Sequence, residues 1–214
     1  NLLLAALTNI KNDFGRAVKE LSKILNIKGK VIPSTNTNVM LNAVLEDGEI
    51  VRGESQIPKK NKRIDRVFLE PENVEPMEEA IDALEDADLI VLGPGSLYTS
   101  VISNLCVKDM SEAILRSKAP KLYISNVMTQ PGETSDYDVM DHIQAIHKHA
   151  GSDFIDYVIC SNDKYDDKVL ERYKERNAKP VVMDEHKITD HNIRMVTSSN
   201  LVEILDDHLV RHNT

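Results

Sequence analysis

At 214 residues, with 41% hydrophobic and 29% charged side chains, this chain can bury a sizeable core without a disulfide or metal staple. Its net charge of −9 argues against general nucleic-acid binding, which depends on neutralising phosphates with Lys and Arg, yet leaves room for one phosphorylated small molecule held by backbone dipoles. No apolar run reaches the roughly 18 residues of a bilayer span, and no basic-then-apolar signal opens the chain. The sequence therefore predicts a cytoplasmic protein with no membrane span.

Apolar residues recur at helical spacing over residues 2–25 (Leu3, Leu7, Ile10, Phe14, Val18, Leu21), predicting one helix broken only mildly at Gly15. Residues 30–33 read as a short strand. Residues 39–45 and 49–57 read as a β-hairpin around Asp47-Gly48. A basic run over 59–63 reads as a solvated loop ahead of a strand over 64–69. Helices then follow over 76–84, 111–116, 139–149 and 168–174. They alternate with strands over 89–92, 121–125 and 157–160, and the apolar segment 180–183 follows the last helix. Such alternation implies right-handed βαβ crossovers and a mainly parallel sheet. Both ends of the chain read as cut: Asn1 leads straight into an apolar helix, and Thr214 stops short of a completed element.

In a parallel sheet, ligands lie at the carboxyl ends of the strands. The first such end is Leu92-Gly93-Pro94-Gly95-Ser96-Leu97-Tyr98-Thr99-Ser100. Glycine lets backbone amides approach an anion, helix N–H groups point at it, and Ser96 and Thr99 add hydroxyls without charge. An ordinary capped strand-to-helix turn stays an equal reading, because the loop is neither G-x-G-x-x-G nor a lysine-bearing phosphate loop. The second end is Ser125-Asn126-Val127-Met128-Thr129-Gln130-Pro131-Gly132-Glu133-Thr134. There Asn126, Thr129, Gln130 and Thr134 suit ribose hydroxyls or an amide-bearing sugar, although the same residues also make good turns. Ser161-Asn162-Asp163 is the third.

Other candidates are weaker. Asp136 and Asp138 fit either Mg²⁺ or a helix N-cap. His142, His147 and His149 share a helix at spacings that put no three ligands on one face, and they read as a solvated surface. Cys106 and Cys160 lie outside any metal spacing and read as buried free thiols. His208 and His212 flank Arg211 as local polar partners. No Ser-His-Asp order and no activated cysteine is visible, so covalent catalysis is not expected. A nicotinamide dehydrogenase lacks its fingerprint here.

Four stretches together carry a family resemblance: Asn1-Leu2-Leu3-Leu4-Ala5-Ala6-Leu7, Arg66-Val67-Phe68-Leu69-Glu70-Pro71, the glycine loop 92–100, and Asn126-Val127-Met128-Thr129-Gln130-Pro131-Gly132-Glu133-Thr134. Across essentially the whole chain they resemble the gluconeogenesis factor (YvcK-like) family, a branch related to 2-phospho-L-lactate transferase (CofD-like). The resemblance implies an α/β, Rossmann-like three-layer fold with a mainly parallel sheet and a β-hairpin excursion. It implies one nucleotide-sugar-binding domain over 1–214, whose phosphate loop and aspartate-rich segment would lie before Asn1.

The function implied is a cytoplasmic regulatory protein that binds UDP-sugars, notably UDP-N-acetylglucosamine. It is tied to gluconeogenic growth, cell shape and envelope precursors. Transferase relatives instead join a phospholactyl group to a deazaflavin precursor with Mg²⁺ and a guanine nucleotide, so turnover and Mg²⁺ are left open. Carried over residue by residue, Asn1, Gly93, Gly95, Ser96 and Thr99 would line the nucleotide or diphosphate pocket, with Asn126, Thr129 and Gln130 facing the same cleft. Tyr173 would touch the base and Arg211 would bind the ligand. A kinase acting at Thr214 would add charge beside Arg211. A homo-oligomer is also left open.

Overall fold

Where the sequence predicts one long opening helix, the computed structural model, which describes residues 2–205 and 209–213, has two. They are α1 (Leu2–Lys11) and α2 (Phe14–Ile24). The break falls at Asn12-Asp13 and not at Gly15. Asn12 turns left-handed with φ 50°, and the extended Asp13 caps α2 by accepting the Arg16 N–H at 2.8 Å. Gly15 stays helical because its bare Cα leaves room for Met77, whose methyl would lie 2.9 Å from a Cβ there. Residues 30–33 form no strand and run as an irregular connection.

The hairpin pairs β1 (Met40–Leu45) with β2 (Ile50–Arg52) around Gly48, whose φ of +83° the tight turn requires. The second strand stops at Arg52 and does not reach residue 57, because Gly53 at φ +87° turns the chain into two short 3₁₀ turns, Glu54–Gln56 and Pro58–Lys60. β3 (Ile64–Glu70) adds to the other side of β1, giving a three-stranded antiparallel sheet in the order β2-β1-β3. The basic run before it is a solvated, ion-paired surface. Lys60 and Lys62 reach Glu49 at 2.6 and 2.9 Å, and Arg63 lies over the Tyr137 ring.

After α3 (Glu78–Glu85) comes the parallel sheet of β4 (Ile90–Leu92), β5 (Lys121–Ile124), β6 (Tyr157–Ser161) and β7 (Arg194–Ser198), in the order β4-β5-β6-β7. Every neighbouring pair is parallel, with β4 at one end. The intervening helices are α4 (Ser103–Leu105), α5 (Met110–Arg116), α6 (Val139–Ala150), α7 (Asp167–Glu175) and α8 (Glu185–Asp190). This helix-flanked parallel sheet is a Rossmann-like α/β arrangement. The fourth strand is Arg194–Ser198, while the apolar segment 180–183 joins no ladder: Pro180 has no N–H to give and makes a single bridge to Met128. β8 (Val202–Ile204) and β9 (Val210–His212) form a separate antiparallel pair.

The core joins the two larger sheets through Tyr98, Tyr123, Ile143, Ile146 and Val158. α6 also overturns the expectation of a solvated histidine face. His142 is fully buried with Nδ1 2.7 Å from the Asp138 carbonyl oxygen. His147 is buried and accepts the Phe154 and Ile155 N–H groups on Nε2. His149 accepts the Val67 N–H on Nε2 at 3.0 Å, with Nδ1 2.7 Å from the Ala145 carbonyl oxygen. Each ring faces a different element, so helical spacing alone could not place them. Burial pushes all three below the ordinary imidazole range. Cys160 is buried and Cys106 half-buried, both as free thiols that burial raises to about 11.

Candidate functional site

β4 ends at Leu92, and Gly93 at φ +90° swings the chain across the end of β5. A Cβ on Gly93 would lie 3.0 Å from the Ile124 carbonyl oxygen, so both the backbone angle and the close pass require glycine. Gly95 packs against Ser100, whose Cβ a substituent would meet at 3.0 Å. The expected helix then begins as a wider π-helical stretch, Leu97–Ile102, that runs on into α4. Leu97, Tyr98 and Ile102 anchor it in the core, and Tyr98 Oη meets Tyr137 Oη at 2.7 Å.

The loop after β5 is hydrogen-bonded to this glycine loop at two points. Asn126 accepts the Tyr123 hydroxyl on Oδ1 and donates from Nδ2 to the Gly95 carbonyl oxygen, each at 2.8 Å. Gln130 donates from Nε2 to Ser96 Oγ at 2.9 Å. Gly95, Ser96, Asn126 and Gln130 therefore form one rim. Thr129 is buried and tied to Lys179: its N–H donates to the Lys179 carbonyl at 2.8 Å, and its hydroxyl accepts the Lys179 N–H at 3.0 Å. Thr134 shapes the same loop by accepting the Gln130 N–H at 2.9 Å. Ser161, Asn162 and Asp163 share a cavity of about 290 Å³ with Ser125 and Asn126, which joins the third strand end to the rim.

Thr99 lies beyond the glycine loop, lining two cavities. One, of about 660 Å³, lies between Glu54, Ser55 and Pro58 on one side and Ser96, Thr99 and Glu133 on the other. The second, of about 800 Å³, also touches Glu54 and Thr99 and is walled by Asp13 and by uncharged residues such as Thr35, Asn36, Asn38 and Asn104. Sequence reasoning missed Glu133. Its side chain sits where Gly132, at φ +79°, lays the loop flat on the Pro58–Lys60 turn, and a Cβ at Gly132 would overlap the Pro58 carbonyl. Burial pushes the Glu133 carboxyl up to about 7. The Glu54 charge adds to this and the Tyr98 backbone N–H opposes it. A glutamate directly after a turn glycine was the available signal.

Tyr173 on α7 and the strand β9, which carries Arg211, pack beside the loop after β5. The Tyr173 hydroxyl accepts the Val210 N–H at 3.0 Å, and its ring packs beside Met128, Val169 and Val210. Arg211 is exposed and donates to its neighbour's carbonyl at 3.2 Å, while His212 Nε2 lies 3.3 Å from the Ser125 carbonyl oxygen. Asn1, His208 and Thr214 lie outside the described residues. Asp138 is an N-cap: it accepts the Asp141 N–H at 2.8 Å while Asp141 accepts its own, and Lys187 pairs with it at 2.7 Å. Asp136 is exposed and pairs with Lys179 at 2.6 Å. Among the described residues, no three His, Cys, Asp or Glu side chains gather to hold a metal ion, and no helix is long and apolar enough to cross a membrane.

Residues 1–201 match the family model described as 2-phospho-L-lactate transferase CofD. Along its whole length the chain is 46% identical to a gluconeogenesis factor of Halalkalibacterium halodurans and 44% identical to that of Bacillus subtilis. It spans 66% and 67% of those relatives' lengths. A crystal structure of a Bacillus halodurans protein superimposes with a TM-score of 0.95 at 46% identity, covering all of this chain and 68% of that one. The chain belongs to the gluconeogenesis factor family, within the wider CofD family.

Proposed function

We propose that the protein binds a UDP-sugar, UDP-N-acetylglucosamine above all, along the rim at the strand ends, and that it acts as a regulator rather than by turnover. In this reading residues 1–214 belong to one α/β nucleotide-sugar-binding domain. It senses an envelope precursor and links carbon metabolism to cell shape. The supporting observation is the pair of side-chain bonds, Asn126 to Gly95 and Gln130 to Ser96, that draws two polar loops into one edge. Backbone amides of the glycine loop suit phosphate oxygens, an arginine fork at Arg211 can take them bidentately, and the Tyr173 ring offers a face for the base.

The match to the CofD model favours one second reading, a Mg²⁺-dependent phospholactyl or phosphoryl transferase. The carboxylates at Asp136 and Asp138 are paired with Lys179 and Lys187. Calorimetric titration of the full-length protein separates the two. Saturable binding of UDP-N-acetylglucosamine, weakened by Tyr173→Ala or Arg211→Ala, supports the sensor. Preference for GDP with Mg²⁺ overturns it in favour of the transferase.

A further inference from the structure

The cavity of about 800 Å³ lies between the α1–α2 junction, the segment 33–39 and the helix that follows the glycine loop. Leu41 of β1, Leu69 of β3 and Phe14 of α2 give it an apolar floor. Among the described residues that line it there is no Lys, Arg or His, and its two charges are the carboxylates of Asp13 and Glu54. Asp13 is committed to capping α2, where it accepts the Arg16 N–H. A phosphate or carboxylate entering here would meet no cation and would face Glu54, at the cost of desolvating an unpaired anion. Uncharged hydroxyl and amide groups over an apolar surface pay no such penalty.

Thr99 joins this cavity to the glycine loop. With Ser96 it lines the cavity of about 660 Å³, and with Ser103 and Asn104 it lines the larger one, while Glu54 borders both. Ser96 is also the residue that Gln130 bonds, and its neighbour Gly95 takes the Asn126 amide. The way from the two-loop rim into the larger cavity therefore runs past Thr99. Two of the wall groups are already fixed: Ser103 donates to the Thr99 carbonyl at 2.9 Å and Asn104 to the Ser100 carbonyl at 2.6 Å. Others are open to a ligand. Among the described residues no hydrogen bond engages the hydroxyl of the half-buried Thr99 or the amide of the exposed Asn38. Exposed Asn36 uses its Oδ1 to accept the Gly15 N–H at 2.9 Å and leaves its Nδ2 to donate.

We propose that this cavity is the glycosyl subsite: with the diphosphate at the glycine loop, the sugar passes Thr99 and its hydroxyl and N-acyl groups bond to Thr99, Asn36 and Asn38. An N-acyl methyl rests on the apolar floor at Leu41 and Leu69. This rests on the UDP-sugar reading above and adds which glycosyl units the site admits. Neutral hexoses and N-acylhexosamines enter, and a glycosyl unit that carries a carboxylate is refused by the uncompensated charge of Glu54.

The test is calorimetry on the full-length protein with UDP, UDP-N-acetylglucosamine, UDP-glucose and UDP-glucuronic acid. The last two differ only at C6, so they isolate the effect of a carboxylate. The wild type is expected to bind UDP-glucose roughly tenfold more tightly than UDP-glucuronic acid, and Glu54→Gln to narrow that gap. Asn38→Phe fills the cavity from its exposed wall and lowers the preference for UDP-N-acetylglucosamine over UDP roughly tenfold. Thr99→Val keeps the shape, removes the hydroxyl and lowers the same preference about fivefold. Melting curves establish that each variant is folded. A preference unmoved in either variant, or UDP-glucuronic acid bound as tightly as UDP-glucose, overturns the inference and leaves the UDP-sugar reading standing. Failure of the wild type to bind any of the four ligands overturns both.

Discussion

The Asn126 amide nitrogen donates to the Gly95 carbonyl oxygen across 2.8 Å, fastening the loop after β5 to the loop after β4. The same side chain accepts the hydroxyl of the fully buried Tyr123. Replacing Asn126 with Leu removes both bonds and leaves the Tyr123 hydroxyl buried without its acceptor. A loss of about 1–3 kcal/mol is expected, read as a lower urea midpoint, together with weaker binding of UDP-N-acetylglucosamine. Unchanged stability would show that the two loops hold their places independently.

Gly132 is under two constraints, a φ of +79° and the Pro58 carbonyl where a Cβ would stand. Gly132→Ala is expected to cost more than 1 kcal/mol, roughly, since overpacking and the left-handed backbone act together. Gly48, at φ +83° with open space around it, is the control, because Gly48→Ala meets only the backbone penalty. Comparing the two melting temperatures isolates the steric part. Equal shifts would mean that the loop moves off Pro58 without cost.

The histidines of α6 set an acid limit on stability. Their folded-state pKa values lie below the unfolded value near 6.5, so the folded protein holds fewer protons than the unfolded chain as pH falls through that range. Stability from these groups is therefore complete above about pH 6.5 and lost as pH drops through their lowered values. His149→Gln, which keeps a side-chain acceptor near the Val67 N–H, should flatten that decline in denaturant titrations between about pH 7 and about pH 5. An unaltered slope would show that His149 contributes nothing to it.

Glu133 acts with the opposite sign. Its carboxyl is raised from 4.5 to about 7, so the neutral form suits the folded protein, and stability from it is lost as pH rises through about 7. Glu133→Gln, a permanently neutral copy, should gain stability over the wild type at about pH 8 and little at about pH 5. Parallel melting curves at both pH values would contradict this.

Tyr173 can be dissected by truncating in steps. Tyr173→Phe keeps the ring packed beside Met128 and Val169 and removes only the acceptor for the Val210 N–H. Faster amide exchange at Val210, with ligand affinity largely retained, is expected from Phe. Tyr173→Ala should lose both. Equal ligand affinity in Tyr173→Ala and wild type would confine the residue to packing.

Much of the α/β alternation was legible because each parallel strand is a short apolar run between helical patterns, as at β4, β5 and β6. The glycine and Asn126–Gln130 loops stood out because Gly, Asn and Gln at strand ends have few other uses. What escaped the sequence depended on long-range packing. Gly15 is a mild interruption by pattern, and its place inside α2 against Met77 shows only in the packing. The α6 histidines look solvated until β3 and the 153–155 segment supply their partners. Glu133 is a polar turn residue by pattern and an enclosed carboxyl only because Gly132 presses the turn onto Pro58. α8 and β7 were missed since EHKITD and RMVTS carry little apolar periodicity.

β4 is three residues long and, among the described residues, hydrogen-bonds to a neighbouring strand along one side only. Across that paired side, the Asn126 amide couples the glycine loop to the buried Tyr123 of β5, which makes one side chain the pin between rim and core.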